Sequence, residues 1–164
     1  MPKVGNEKTP QQALSSLMRL CSRSEKCISD ARRLMRRWGI SDADADAVIR
    51  KLTGERFIDE YRYAAAYVRD KMSLSGWGVH KIRAALAAKG VERGAIEQAL
   101  SLLDAQADGR RLLVRMERKL KSLSSGTAYE KRTKIIRYGL SLGFDYEDVI
   151  GAADIICKDE KDED

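Results

Sequence analysis

Proline is almost missing from this chain, and both copies, Pro2 and Pro10, fall in the opening MPKVGNEKTP. That polar stretch reads as a disordered lead-in over residues 1–10. Histidine occurs once, at His80, with no cysteine at ligand or catalytic spacing beside it. Zinc and Cys–His chemistry therefore find no set of residues to work with. Cys21, Cys27 and Cys157 are odd in number and irregularly spaced, which argues against a disulfide framework and suits a reducing cytoplasm. They read as small packing residues. No apolar run approaches the ~20 residues needed to cross a bilayer, and no secretory h-region follows the initiator Met. A soluble, cytoplasmic protein is expected. No segment sustains period-two alternation, so essentially no strand is expected.

Two stretches imitate binding loops and fail on detail. Asp42-Ala-Asp44-Ala-Asp46 starts like a calcium loop, but Ala47 stands where the turn glycine belongs and Thr53 where the bidentate glutamate belongs. Gly76-Trp77-Gly78 precedes a helical stretch without the GxxxxGK[ST] pattern of a nucleotide loop, so it reads as a turn with Trp77 as a packing or contact aromatic. Tyr61, Tyr63 and Tyr67 read as core and groove packing. The residues support no enzyme, no metal and no cofactor.

What the chain does contain is a repeated helical grammar. Aligning Gly39, Gly90 and Gly143, which lie 51 and 53 residues apart, brings similar residues into register. Ile40, Val91 and Phe144 follow the glycine; then come Ala45, Ile96 and Val149, Ile49, Leu100 and Ala153, and Leu52, Leu103 and Ile156. Ala31, Ile82 and Ile135 precede it. The expected fold is all-α: an elongated, curved array of three tandem three-helix repeats at residues 11–54, 55–103 and 104–157, then an acidic tail at 158–164. Ser24, Ser41 and Asp59 stand where helices should start. Ile58, Tyr61, Ala64, Ala65, Val68 and Met72 form one stripe. A long helix is expected from about Asp104, running on from its predecessor with Gly109 as a weak point.

Charge is sorted by helix. The net charge is +6, and the tail carries two lysines against five acids, leaving about +9 on residues 1–157. Segments 31–40, 79–91 and 131–144, the second helix of each repeat, contain no acid. Arg32, Arg33, Arg36 and Arg37, then Lys81, Arg83 and Lys89, then Lys131, Arg132, Lys134 and Arg137 occupy them. The long helix of the third repeat adds Arg110, Arg111, Arg115, Arg118, Lys119 and Lys121. Acids gather at the starts of third helices, where the macrodipole favours them. Equivalent basic helices in an array can line one continuous surface, suited to phosphate or to an acidic protein groove.

Ile58-Asp59-Glu60-Tyr61-Arg62-Tyr63-Ala64, followed by Gly76, Lys81-Ile82, Leu86 and Lys89-Gly90-Val91, resembles the RecX regulatory protein family. Its central pattern reads L-D-D-x-R-[FY]-A, a glycine turn, then I-x-x-x-L-x-x-K-G-[IV]. Glu60 stands in place of the usual second aspartate, and Asp30-Ala31 in place of a common Glu-Leu pair. The resemblance implies a curved, all-helical modulator that sits in the groove of RecA–single-stranded DNA filaments. It would restrain recombination, ATP hydrolysis and the co-protease function that drives the SOS response. Arg33, Arg36, Arg37, Lys81, Arg83, Arg132, Lys134 and Arg137 are the expected contacts with filament or nucleic acid, and the protein is expected to be a monomer. Reversing the charge at Arg33, Lys81 and Arg132 is expected to spare the fold. The alternatives are a stand-alone DNA- or RNA-binding helical module and a helical scaffold for another protein.

Overall fold

The computed structural model describes residues 6–159, the side chain of Asp159 excepted; the first five residues of the expected lead-in and the acidic tail from Glu160 lie outside them. Among the described residues the regular structure is wholly helical. In chain order the helices are α1 (Pro10–Arg23), α2 (Ile28–Arg37), α3 (Asp42–Gly54), α4 (Glu60–Ser73), α5 (Val79–Ala88), α6 (Arg93–Ser101), α7 (Ala105–Ser122), α8 (Ala128–Ser141) and α9 (Tyr146–Asp159). No helix among the described residues is long and apolar enough to cross a membrane.

Helix starts follow local side-chain chemistry. Thr9 and Gln12 exchange hydrogen bonds of 3.2 and 3.0 Å ahead of α1, with Pro10 at a position where its missing N–H costs nothing. The lead-in therefore ends earlier than expected, because Thr9 and Pro10 belong to this cap and the Lys8 N–H donates to the Trp38 carbonyl at 3.1 Å. Ser41 accepts from the Asp44 N–H, Asp104 from Gln106, and Thr127 and Glu130 repeat the reciprocal cap before α8. Ser24 does not cap α2 as expected. It ends α1, its N–H donating to Leu20 O, and the cap of α2 is Cys27, three residues later, whose N–H the Asp30 carboxylate accepts. The long helix also starts afresh: Asp104 caps α7 after a break from α6, and Gly109 lies inside α7 without interrupting it.

The register glycines are the C-terminal stops of α2, α5 and α8. Gly39, Gly90 and Gly143 have φ of +74°, +73° and +94°, in the left-handed region that a Cβ disfavours. The next residue folds back: Ile40 N–H donates to Met35 O at 3.0 Å, and Val91 N–H to Leu86 O at 3.2 Å. Of the apolar register positions, all are buried except Leu103 and Phe144, which are half-buried.

The chain forms two compact units. One comprises Met1–Tyr67 with Leu86–Ala99 and holds a core of Ala13, Leu17, Ala31, Met35, Val48, Ile49 and Leu52, drawn from α1, α2 and α3. The other comprises Val68–Ala85 with Leu100–Asp164, and its core of Leu112, Met116, Leu120, Ile135, Val149, Ala153 and Ile156 comes from α7, α8 and α9. The middle triplet of helices is shared between the units. In α4 the buried tyrosine is Tyr63, 7% exposed, whereas Tyr61 is 41% exposed. The expected stripe is thus right at Ile58, Ala64, Val68 and Met72 and wrong at Tyr61; Tyr63, on another face of α4, is buried instead.

Candidate functional site

In the first unit the segment Asp59–Ala64 supplies one structural task per polar residue. Asp59 accepts the Tyr61 and Arg62 N–H groups at 3.0 and 3.1 Å, and the Arg62 amide is the main reason its carboxyl titrates below the usual range. Glu60 spreads its carboxylate across two helix starts. Its Oε1 accepts the Ile28 N–H that opens α2 at 3.3 Å, and its Oε2 accepts the Glu92 N–H just before α6 at 3.2 Å. Arg62 pairs with Glu25 at 2.5 Å and donates to the carbonyls of Arg56 and Phe57, clamping the turn between α3 and α4. Tyr63 packs inward with its ring centroid 5.9 Å from that of Tyr67, and burial drives its hydroxyl strongly upward in pKa.

Beneath this segment lies Asp30, a buried acid at 8% exposure. Lys89 Nζ reaches it at 3.2 Å, Arg33 Nη2 at 3.3 Å and the Cys27 N–H at 3.5 Å. Burial pushes this carboxyl up. The bonds from Cys27 and Lys89, together with the Lys89 charge, outweigh burial and leave it below the ordinary value.

The expected contact residues fall into two kinds. Arg33 is committed to Asp30, and Arg132 on α8 to Asp154 on α9 at 2.8 Å. Lys81 Nζ lies 4.5 Å from the Trp77 ring centroid and 3.4 Å from Ser141 O, while Lys71 Nζ lies 4.6 Å from the same ring. Trp77 is thus held between two ammonium groups. Arg83 is half-buried and engaged within the protein. Arg36, Arg37, Lys134 and Arg137 are exposed. Arg33, Arg36 and Arg37 belong to the first unit; Lys81, Arg83, Arg132, Lys134 and Arg137 belong to the second.

Within the second unit the start of α5 is seated on the α8–α9 turn. Gly78 N–H donates to Leu142 O at 2.6 Å and His80 N–H to Gly143 O at 3.0 Å, while the His80 ring meets the Asp145 carboxylate. A Cβ at Gly78 would fall 2.6 Å from the Gly143 carbonyl, so only glycine allows this approach. A groove of about 450 Å³ runs between the end of α4 and α7, lined by Arg110, Arg111, Arg115 and Arg118 with Met72 and Val114. As for metals, no group of three or more potential ligands is assembled among the described residues. Asp42 and Asp44 sit in the first turn of α3, and Asp46 is 2.7 Å from Arg32.

Residues 59–100 match the family model described as "RecX, second three-helix domain". Regulatory protein RecX of Geobacillus thermodenitrificans is 34% identical over 141 residues, covering 84% of this chain and 51% of that protein. Its counterpart in Clostridium botulinum (strain Eklund 17B) is 34% identical over 93 residues, covering 56% and 43%. The crystal structure of RecX from Lactobacillus salivarius superposes with a TM-score of 0.75 at 22% identity, over 90% of this chain and 96% of that one. A second structure, of regulatory protein RecX, gives a TM-score of 0.81 at 20% identity, over 88% and 73%. Residues 59–100 thus carry a RecX second three-helix domain, and the chain is similar to RecX proteins over most of its length.

The chain spans about half the length of the curated RecX proteins it first matches, 43% and 51%. The matched segment opens at Asp59, where the capping, bridging and clamping residues of the first unit begin. Two features escaped the contact assignment. Lys89, which the sequence places on the basic outer face, neutralises a buried acid 59 residues away. The α7 arginines form a basic run in the sequence but lie on the first helix of their triplet, outside the second helices that supply the expected contacts.

Proposed function

We propose that this chain binds RecA–single-stranded DNA filaments and restrains RecA recombinase, ATPase and co-protease activity in DNA repair and the SOS response. It acts in the cytoplasm as a monomer, without catalysis, metal or cofactor. Its three helix triplets are copies of one module, at residues 11–54, 55–103 and 104–157. The observation that carries this reading is the match of residues 59–100 to the RecX second three-helix domain, with each polar residue of its opening segment in use. The excess of basic over acidic residues supports an anionic or acidic partner.

The eight basic residues Arg33, Arg36, Arg37, Lys81, Arg83, Arg132, Lys134 and Arg137 remain the proposed contacts. The charge-reversal set changes, however, because Arg33, Lys81 and Arg132 also hold partners within the protein. The exposed quartet Arg36, Arg37, Lys134 and Arg137 is the cleaner set, since changes at such sites usually stay within about 0.5 kcal/mol. Titrating the protein into a DNA-dependent ATPase assay of its cognate RecA should lower turnover at or below stoichiometric amounts, and the quartet changed to Glu should weaken this. An ATPase rate unchanged across that range refutes the reading. Tight binding to naked nucleic acid with RecA unaffected would favour a stand-alone module instead.

A further inference from the structure

We propose that α7 carries a binding site for the phosphate backbone of a single nucleic-acid strand, built from Arg110, Arg111, Arg115 and Arg118. These residues lie outside the second helices to which contacts were assigned. The residues lining their groove include four arginines and no acid. From Arg110 to Arg118 the helix rises about 12 Å. That length admits more than one phosphate of a strand, so successive arginines can meet successive phosphates.

Clustering these arginines opposes the helix that carries them. Arg111 and Arg115 stand four residues apart and Arg115 and Arg118 three apart, where like charges oppose the helix. A polyanion relieves that repulsion. Arg111 has one carboxylate near, Asp108 at 3.5 Å, and Asp108 stands outside the groove lining. Arg115 is held in place before any ligand arrives. Its Nη2 donates to Leu74 O at 3.3 Å, and its side chain lies across Gly76, where a Cβ would collide with the guanidinium. Gly76 is buried with φ of +67°, so the turn is shaped to pass that side chain. One donor of Arg115 is thereby used and the rest of its fork can meet phosphate oxygens in pairs.

The ligand class follows from the lining. Planar guanidinium forks meet phosphate oxygens two at a time, and a nucleic-acid backbone presents its phosphates at regular intervals to a run of arginines. No aromatic lines the groove, so bases find no stacking surface there and recognition is of the backbone, independent of sequence. The exposed side chain of Val114 offers an apolar contact for sugar. This deepens the filament reading by naming where nucleic acid lies. Its test uses naked strand without RecA, so the two readings can fail separately.

Fluorescence anisotropy of a labelled oligothymidylate across a salt series reads the site out. The exposed pair Arg110→Ala/Arg118→Ala should weaken binding at least tenfold at low salt. It should also reduce the slope of log K against log salt by about 1.4, at about 0.7 per phosphate contact on single strands. Arg115→Lys keeps the charge and should keep the slope while losing affinity, because the fork is gone. Arg50→Ala/Lys51→Ala, two exposed charges in the first unit, should leave both unchanged. Circular dichroism checks the fold, and Arg118→Gln alone, with about half the slope change, serves if the double variant misfolds. An unchanged slope in the α7 variants overturns the proposal, as does an equal loss in the control pair. Displacement of the strand by polyglutamate as effectively as by unlabelled oligonucleotide would also overturn it, in favour of an acidic protein partner.

Discussion

Glu60 offers the sharpest test of how the first unit is assembled, because one carboxylate serves two helix starts. Its oxygens accept the Ile28 N–H at 3.3 Å in partly buried surroundings and the Glu92 N–H at 3.2 Å at the surface. Helix-start amides have no partner within their own helix, and losing a side-chain acceptor there costs about 0.5–2 kcal/mol. The buried bond belongs at the upper end of that range and the exposed one at the lower end. Glu60→Ala should therefore destabilise the protein by about 2 kcal/mol, or about 4–8 °C in Tm for a chain of this size. Glu60→Gln keeps the length but has one acceptor atom; its NH2 would face the second amide, so it should lose about half as much. Glu60→Asp restores the residue usual in the RecX pattern but shortens the reach by one methylene. It should keep one bond and fall between wild type and Ala. Urea denaturation followed by circular dichroism gives the three values. The order Ala, then Gln and Asp, then wild type is the expected result. All three variants within 0.3 kcal/mol of wild type would refute the bridge as a source of stability.

Asp30 should make the first unit acid-sensitive. Its folded pKa is depressed, so its contribution is present above the unfolded value near ~3.9 and disappears as pH falls through the folded value. Asp30→Asn should cost about 1–3 kcal/mol at pH 7 in urea titrations, with the gap shrinking below about pH 4; a gap of constant size would contradict the assignment. Gly78→Ala puts a Cβ 2.6 Å from the Gly143 carbonyl, backbone against backbone, and should cost about 1–3 kcal/mol. Hydrogen exchange at the Gly78 and His80 amides should quicken in that variant, and unchanged protection would argue that the turn yields freely. Met116→Ala empties a fully buried site in the second core and should cost about 2–5 kcal/mol by urea titration; a loss under 1 kcal/mol would mean that the site collapses around the gap.

Much of the fold was legible because its determinants are local. A glycine after a helix, followed by one apolar residue, specifies the left-handed stop at Gly39, Gly90 and Gly143, and the apolar spacing on either side specifies the buried face. Ser41, Asp59 and Asp104 announce helix starts through their own side chains. The errors occur where a distant partner decides. Ser24 looks like a cap, but α2 waits until Cys27, where Asp30 can accept the amide while Lys89 neutralises the acid from 59 residues away. Tyr61 and Tyr63 differ by two positions in one helix, and burial falls on Tyr63, off the apolar stripe, because α4 is covered on more than one face. The candidate site was less legible than the fold. A helical wheel marks Arg33 and Arg132 as outward, yet it cannot reveal that Asp30 and Asp154 already hold them. Nor does a pattern built on the second helix of each triplet find arginines on a first helix.

The two tryptophans fall one to each unit: Trp38 behind α2 with Lys8 5.1 Å above its ring, and Trp77 between Lys71 and Lys81. Nature has thus installed a separate optical reporter in either half. Removing Trp77 as phenylalanine leaves emission that follows the first unit, and removing Trp38 leaves emission that follows the second. Melting, ligand arrival and acid response can each be watched half by half with no added dye.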